Sequence, residues 1–257
     1  MKKLIALLLA LTVVLGLAAC GTTNTNETTA ATTEATTEAT TAKSDAISYD
    51  EFKAAALESE VTIQSCIQAV ESWWDGSMHL YLQDAEGAYY IYQLACTEEE
   101  SKALVPGVTV CITGYKAEWS GEVEIIDATY EIVEADAVEV KPIDATALLS
   151  SNALIDLQNK LVSFKGLTVA ASNDDGAAFL YKWDGSGSQG DDLYFNVTDG
   201  ENTFTFTVNA YMSGTGVDSD VYKAVEALKV GDKIDVEGFL YWYNGAQPHL
   251  TSVTPAA

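Results

Sequence analysis

The sequence repeats itself. Ala103-Leu-Val-Pro-Gly-Val-Thr-Val-Cys-Ile-Thr-Gly114 aligns with Ala227-Leu-Lys-Val-Gly-Asp-Lys-Ile-Asp-Val-Glu-Gly238, matching at Ala-Leu-x-x-Gly and at the closing glycine. Past that glycine the copies run on without a gap: Tyr115 meets Phe239, Trp119 meets Tyr243 and Gly121 meets Gly245. Upstream, Val61-Thr-Ile-Gln-Ser-Cys66 aligns with Val162-Ser-Phe-Lys-Gly-Leu167. A pattern present twice is one supersecondary unit used twice, so residues 46–140 and 141–257 are expected to form two domains of one kind.

The first copy shows what kind. Val61 to Val70 reads as a strand, and Met78 to Gln83 and Ala88 to Leu94 as two more, joined by the turn residues Asp84-Ala-Glu-Gly87. Thr97-Glu-Glu-Glu-Ser101 opens a short helix, with threonine as cap and acids where the helix dipole favours them. Val108 to Thr113 is strand four, and a turn at Ser120-Gly121 leads into strand five from Glu122. Three strands, a helix and two strands is the order of an OB-fold, a five-stranded Greek-key barrel. The second copy repeats it with Leu161 to Ala170, Ala177 to Lys182, Asp192 to Val208, a helix at Tyr222 to Leu228, Lys233 to Glu237 and Leu250 to Val253, plus an insertion around Asp184 to Asp192. Short helices at Tyr49 to Ala56 and Ala145 to Asn159 are expected to plug the barrels. The fold class is therefore mainly β, two tandem OB-folds. A pair of Ig-like sandwiches lacks the helix before strand four and needs a Cys and Trp spacing that this chain does not have.

Ahead of the repeat lies Met1-Lys2-Lys3 and then an apolar run from Leu4 to Ala19, about 16 residues, where a spanning helix needs roughly 20. That is the layout of a secretory signal. Leu17-Ala18-Ala19-Cys20 resembles the lipobox of bacterial lipoprotein precursors, which implies cleavage before Cys20, lipidation of its thiol and a membrane partner at the outer face of the cell. Residues 20–45 then carry 11 threonines and no aromatic or large aliphatic side chain, so they cannot form a core. As a flexible coil they would span roughly 25 to 30 Å.

The barrels also resemble the OB-fold modules of exported bacterial lipoproteins, through Leu80-Tyr-Leu-Gln-Asp84 followed by Gly87-Ala-Tyr-Tyr-Ile91. Such modules are often labelled nucleic-acid binders by fold. The composition argues otherwise: 13 lysines and no arginine stand against 38 acids, for a net charge of −25. Polyanions need Lys and Arg for their phosphates, so a nucleic-acid partner is not expected.

OB-folds bind on the face of strands two and three, between the loops joining strands one to two and four to five. By that map Trp73 and Trp74 occupy the first loop of domain one, Trp119 the second, and Tyr81 and Tyr90 the strands between, with Tyr89 and Tyr92. Tyr241, Trp242 and Tyr243 occupy the corresponding second loop of domain two, and Trp183 opens the insertion. The candidate ligand-binding set is Trp73, Trp74, Tyr81, Tyr90, Trp119 and Trp242. Aromatic faces beside carboxylates suit a neutral glycan, and they suit an exported protein partner too. Rings that cap barrel ends or pack between the domains are the alternative.

No catalytic residue, metal site or cofactor is expected. His79 and His249 sit in no recognisable nucleophile, zinc or phosphate motif. The acidic stretch Asp184-Gly-Ser-Gly-Ser-Gln-Gly-Asp-Asp192 lacks the bidentate Glu of an EF-hand, Phe195 standing in its place. Of Cys66, Cys96 and Cys111, an odd set, at least one is unpaired; a Cys66 to Cys111 disulfide and buried thiols are both open.

Overall fold

The computed structural model describes residues 45–256; the expected signal sequence, Cys20 and nearly all of the threonine-rich segment lie outside them. Two closed barrels follow one another. The first is built from β1 (Glu60–Val70), β2 (Ser77–Gln83), β3 (Ala88–Ala95), β4 (Thr109–Trp119) and β5 (Glu122–Val133), closed in the order β1-β2-β3-β5-β4, with α1 (Tyr49–Ala54) before it and α2 (Glu98–Ser101) between β3 and β4. The second follows β6 (Ile143–Asp144) and comprises β7 (Leu161–Ala170), β9 (Leu193–Thr198), β10 (Thr203–Val208), β11 (Lys233–Phe239) and β12 (His249–Pro255). The edge strand β8 (Leu180–Tyr181) pairs with β9, and α3 (Asp220–Glu226) precedes β11. The sheet order β7-β11-β12-β10-β9 is closed by β7 pairing with β9. In both barrels the third and fifth strands are parallel neighbours, Tyr90 opposite Glu124 and Thr207 opposite His249. The expected OB-fold order is present twice.

The repeated residues explain themselves. Gly107 and Gly231 both adopt left-handed φ, +94° and +95°, a conformation that favours glycine. Their N–H groups donate to the first-strand carbonyls of Ile67 and Val169 at 2.8 and 2.9 Å, fixing the same entry to strand four. Gly114 and Gly238 sit where strand five crosses so closely that a Cβ would lie 2.7 Å from the Ile126 carbonyl oxygen and 2.4 Å from that of His249. The repeat thus marks one position in each barrel where the backbone turn favours glycine and one where the strand crossing leaves no room for a Cβ.

Strand alternation sorts the first barrel's residues between two cores. Met78, Leu80 and Leu82 of β2 point into the barrel with Tyr89, Ile91 and Leu94 of β3. Each fully buried side chain of this size contributes about 1.5–3 kcal/mol. On the other face of the same strands, Tyr81 and Tyr90 join Ala69, Met212 and Phe239 in a separate core between the barrels. One end of barrel one is closed by α1, which a Ser48–Glu51 capping box starts. Phe52 packs edge-on against Tyr89, ring centroids 4.9 Å apart. The buried Lys116 ammonium donates to the carbonyls of Phe52, Lys53 and Ala55 at 2.8–2.9 Å, satisfying the end of that helix; burial lowers its pKa.

Three expectations change. The stretch Asp192 to Val208 is not one strand but the β9–β10 hairpin, because Asp199 Oδ1 accepts from the N–H groups of Glu201 and Asn202 and turns the chain at Gly200. Ala177 to Lys182, expected as strand two, holds only β8 at the sheet edge. Residues 145–159 form two 3-10 turns, Thr146–Leu148 and Asn152–Leu157, rather than one helix. Ser151 breaks the run by accepting from the Ala153 N–H, the local competition that keeps serine out of helix interiors. Cys66 is a thiol, not half of a disulfide: the β1–β4 register sets it opposite Thr109 and sets Gln64 opposite Cys111. Among the described residues no helix is long and apolar enough to cross a membrane.

Candidate functional site

The seam between the barrels is polar at its edges and aromatic at its centre. Ser72 N–H donates to the Tyr211 carbonyl at 2.8 Å and Ser213 N–H to that of Val70 at 2.7 Å, joining the sheets edge to edge. The Gln158 amide accepts from Val123 N–H and donates to the Gly121 carbonyl, and Gln83 accepts from Leu161 N–H. Tyr81 stacks on Phe239 at 4.8 Å, and its hydroxyl meets His249 Nδ1 at 2.7 Å. Glu122 on β5 is fully buried, and Oε2 accepts from Trp242 N–H at 2.8 Å. Burial pushes its carboxyl up to about 9, against the opposing pull of Asn159 and the Trp242 N–H, so it carries a proton at neutral pH. Oε1 and the Asn159 Oδ1 are both buried acceptors without other partners. A protonated Glu122 gives the donor that this pair needs.

Above this seam opens a cleft of about 770 Å³, within the usual range for small-molecule sites. Its second-barrel wall is the outer face of β9 and β10, with Tyr194, Asn196, Thr205 and Thr207. Its first-barrel wall is Glu71, His79, Tyr90 and Tyr92, with Trp119 at the rim. Tyr241, Tyr243 and Gln247 from the β11–β12 loop and Trp183 from the insertion close it in. Strand-face alternation puts them there: on β9, Leu193, Phe195 and Val197 are in the core, so Tyr194 and Asn196 face out. No lysine lines the cleft.

Its floor is organised by both histidines. His79 Nδ1 lies 2.7 Å from the Tyr90 hydroxyl and 3.3 Å from the Glu71 carboxylate, which the Tyr90 hydroxyl also approaches at 3.4 Å. Burial would raise Glu71's pKa, but the hydrogen bond and charge of His79, helped by His249 and Asn209, hold it below the usual range. His249 stacks on Tyr241 at 4.5 Å; burial lowers its pKa to about 4, outweighing the nearby Glu71, so its ring is neutral. Asp192 accepts from Ala210 N–H at 2.8 Å, and burial, with the charge of Glu71, raises its pKa. Thr207 is 1% exposed, and its Oγ1 has no hydrogen-bond partner.

The six sequence-chosen aromatics separate. Trp119 is 62% exposed at the rim of the cleft. Tyr90 lies in its floor, 3% exposed, with its ring in the seam. Tyr81 is 0% exposed; it cannot present a face to a ligand and instead holds His249 from below. Trp73 is half-buried against the first core and donates from Nε1 to the Cys96 carbonyl. Trp74, 81% exposed, lines a neighbouring recess with Tyr211 and Met78. Trp242 packs on the second core and over Gly121, facing a third hollow with Phe204 and Leu149. Sequence reasoning missed Glu71, Asp192, Asn196 and Thr207. The period-two pattern of β9 and β10 would have shown the last two, had the Asp199-Gly200 turn been read. The acidic insertion holds no metal cluster among the described residues. Asp184 accepts from Ser186 and Asp191 from Ser188 N–H, as in ordinary turns.

No family model matches the chain, and no curated protein does. Among solved structures, it is similar to a murine DNA-binding protein bound with double-stranded DNA at 12% identity, covering 76% of this chain and 96% of that one, with a TM-score of 0.35. It is similar to the HINb domain of p204 at 13% identity, covering 77% and 97%, with a TM-score of 0.34. A replication protein A heterotrimer bound to single-stranded DNA matches at 11% identity over 77% of this chain and 49% of that one, with a TM-score of 0.31.

Proposed function

We propose that this chain is a lipid-anchored, non-catalytic binding protein of the outer cell surface that takes a glycan in the cleft between its two barrels. The cleft carries the reading: rings of Tyr92, Trp119, Trp183, Tyr194, Tyr241 and Tyr243 alternate with the acceptors and donors of Asp192, Asn196, Asn209 and Gln247. Sugar C–H faces pack on such rings while hydroxyls bond to carboxylates and amides. The charge of the chain supports it too. With no arginine and no lysine in the cleft, a phosphate backbone finds no counter-charge there. The membrane attachment rests on the resemblance of Leu17-Ala18-Ala19-Cys20 to a lipobox, and the threonine-rich residues after it serve as a spacer.

A glycan array probed with the protein tests the binding reading, with a single-stranded oligonucleotide measured alongside at low salt. Glycan binding that Trp119→Ala weakens is the expected result. Oligonucleotide binding without any glycan would replace this reading with a nucleic-acid one. Mass spectrometry of the mature N-terminus tests the anchor: a diacylglyceryl-modified Cys20 is expected, and an unmodified Cys20 in the exported protein would contradict it.

A further inference from the structure

Resting on the glycan reading, we propose that the cleft selects a sugar bearing a protonated amine, whose ammonium group sits against the Asp192 carboxylate. The two carboxylates of the cleft are not equivalent. Glu71 is engaged by His79 and the Tyr90 hydroxyl. Asp192 has one backbone N–H, from Ala210, and takes part in none of the ion pairs among the described residues. A partly buried carboxylate without a cation is costly unless something else supplies one, and no lysine lines the cleft to do so.

A second feature points to a ligand independently. Thr207 Oγ1, on the floor formed by β10, is buried and unpartnered, and a buried hydroxyl in that state calls for a partner. A sugar hydroxyl is such a partner. The exposed indoles of Trp119 and Trp183, 62% and 70% exposed, add faces that attract a cation as well as a sugar ring.

Calorimetric titration of the full chain with β-1,4-linked oligomers of glucosamine, N-acetylglucosamine and glucose tests this, at about 0.15 M and 0.5 M salt to separate the cleft from the general acidity of the surface. The glucosamine oligomer is expected to bind about ten-fold tighter than the other two at both salt concentrations. Asp192→Asn, which keeps an acceptor for Ala210 N–H, is expected to remove that advantage, so that the glucosamine and glucose oligomers bind the variant within about two-fold of one another. Neutral oligomers binding as well as the amine would overturn the amine proposal while leaving the glycan reading in place. So would an amine preference that vanishes at high salt or survives Asp192→Asn. No binding by any of the three would overturn both. Should Asp192→Asn fail to fold, the acetylated and free-amine oligomers decide the matter on the unaltered chain.

Discussion

The Tyr81 hydroxyl and His249 Nδ1, 168 positions apart in the chain, meet at 2.7 Å beneath the cleft. One belongs to each barrel, so the contact couples the position of a floor residue of the site to the packing of the seam. Tyr81→Phe keeps the ring stacked on Phe239 and deletes only the hydroxyl. The loss leaves a buried ring nitrogen unpaired, at a cost of about 1–3 kcal/mol. Urea denaturation should show a lower midpoint with an unchanged m-value.

Acid acts on the same place. With its pKa lowered from 6.5 to about 4, His249 binds its proton more readily in the unfolded chain than in the folded one. Its contribution to stability is therefore present above about pH 6.5 and is lost as pH falls towards 4. His249→Gln should flatten this limb of the stability profile, read as urea midpoint against pH.

Glu122 works in the opposite sense. Its folded pKa of about 9 lies above the ordinary 4.5, so the proton it holds stabilises the fold fully below pH 4.5 and the benefit is lost as pH rises to 9. Glu122→Gln supplies a permanent donor towards Asn159 Oδ1 and keeps an acceptor for Trp242 N–H. The variant is expected to be more stable than the parent at pH 9 by more than about 1 kcal/mol, with the gap closing towards pH 5. A parent and variant with parallel profiles would show that Glu122 is ionised in the seam.

Much of this fold was legible in the repeat, because glycine positions report geometry: Gly107 and Gly231 need left-handed φ, and Gly114 and Gly238 leave no room for a Cβ. The second barrel was harder to read. Phe204 and Phe206 continue the apolar pattern of Tyr194 and Phe195 across the Asp199-Gly200 turn, so two strands look like one. The site was legible only as a composition. Alternation along β2 and β3 shows that Tyr81 and Tyr90 share a face, but not that a second barrel covers it. Glu71 and Asp192 belong to different barrels, and no local pattern connects them.

Trp74 and the cleft indoles separate the two surfaces that could bind. All three are exposed, at 81% for Trp74, 62% for Trp119 and 70% for Trp183, so their replacement should leave the melting temperature within a degree or two. The most direct measurement is the affinity of the glycan found on the array for Trp119→Ala, Trp183→Ala and Trp74→Ala. Losses of about ten-fold or more for the first two, with Trp74→Ala unchanged, are what a ligand seated between the barrels requires. Loss of binding in Trp74→Ala alone, with both cleft variants intact, would contradict the account and move the site to the loop of the first barrel.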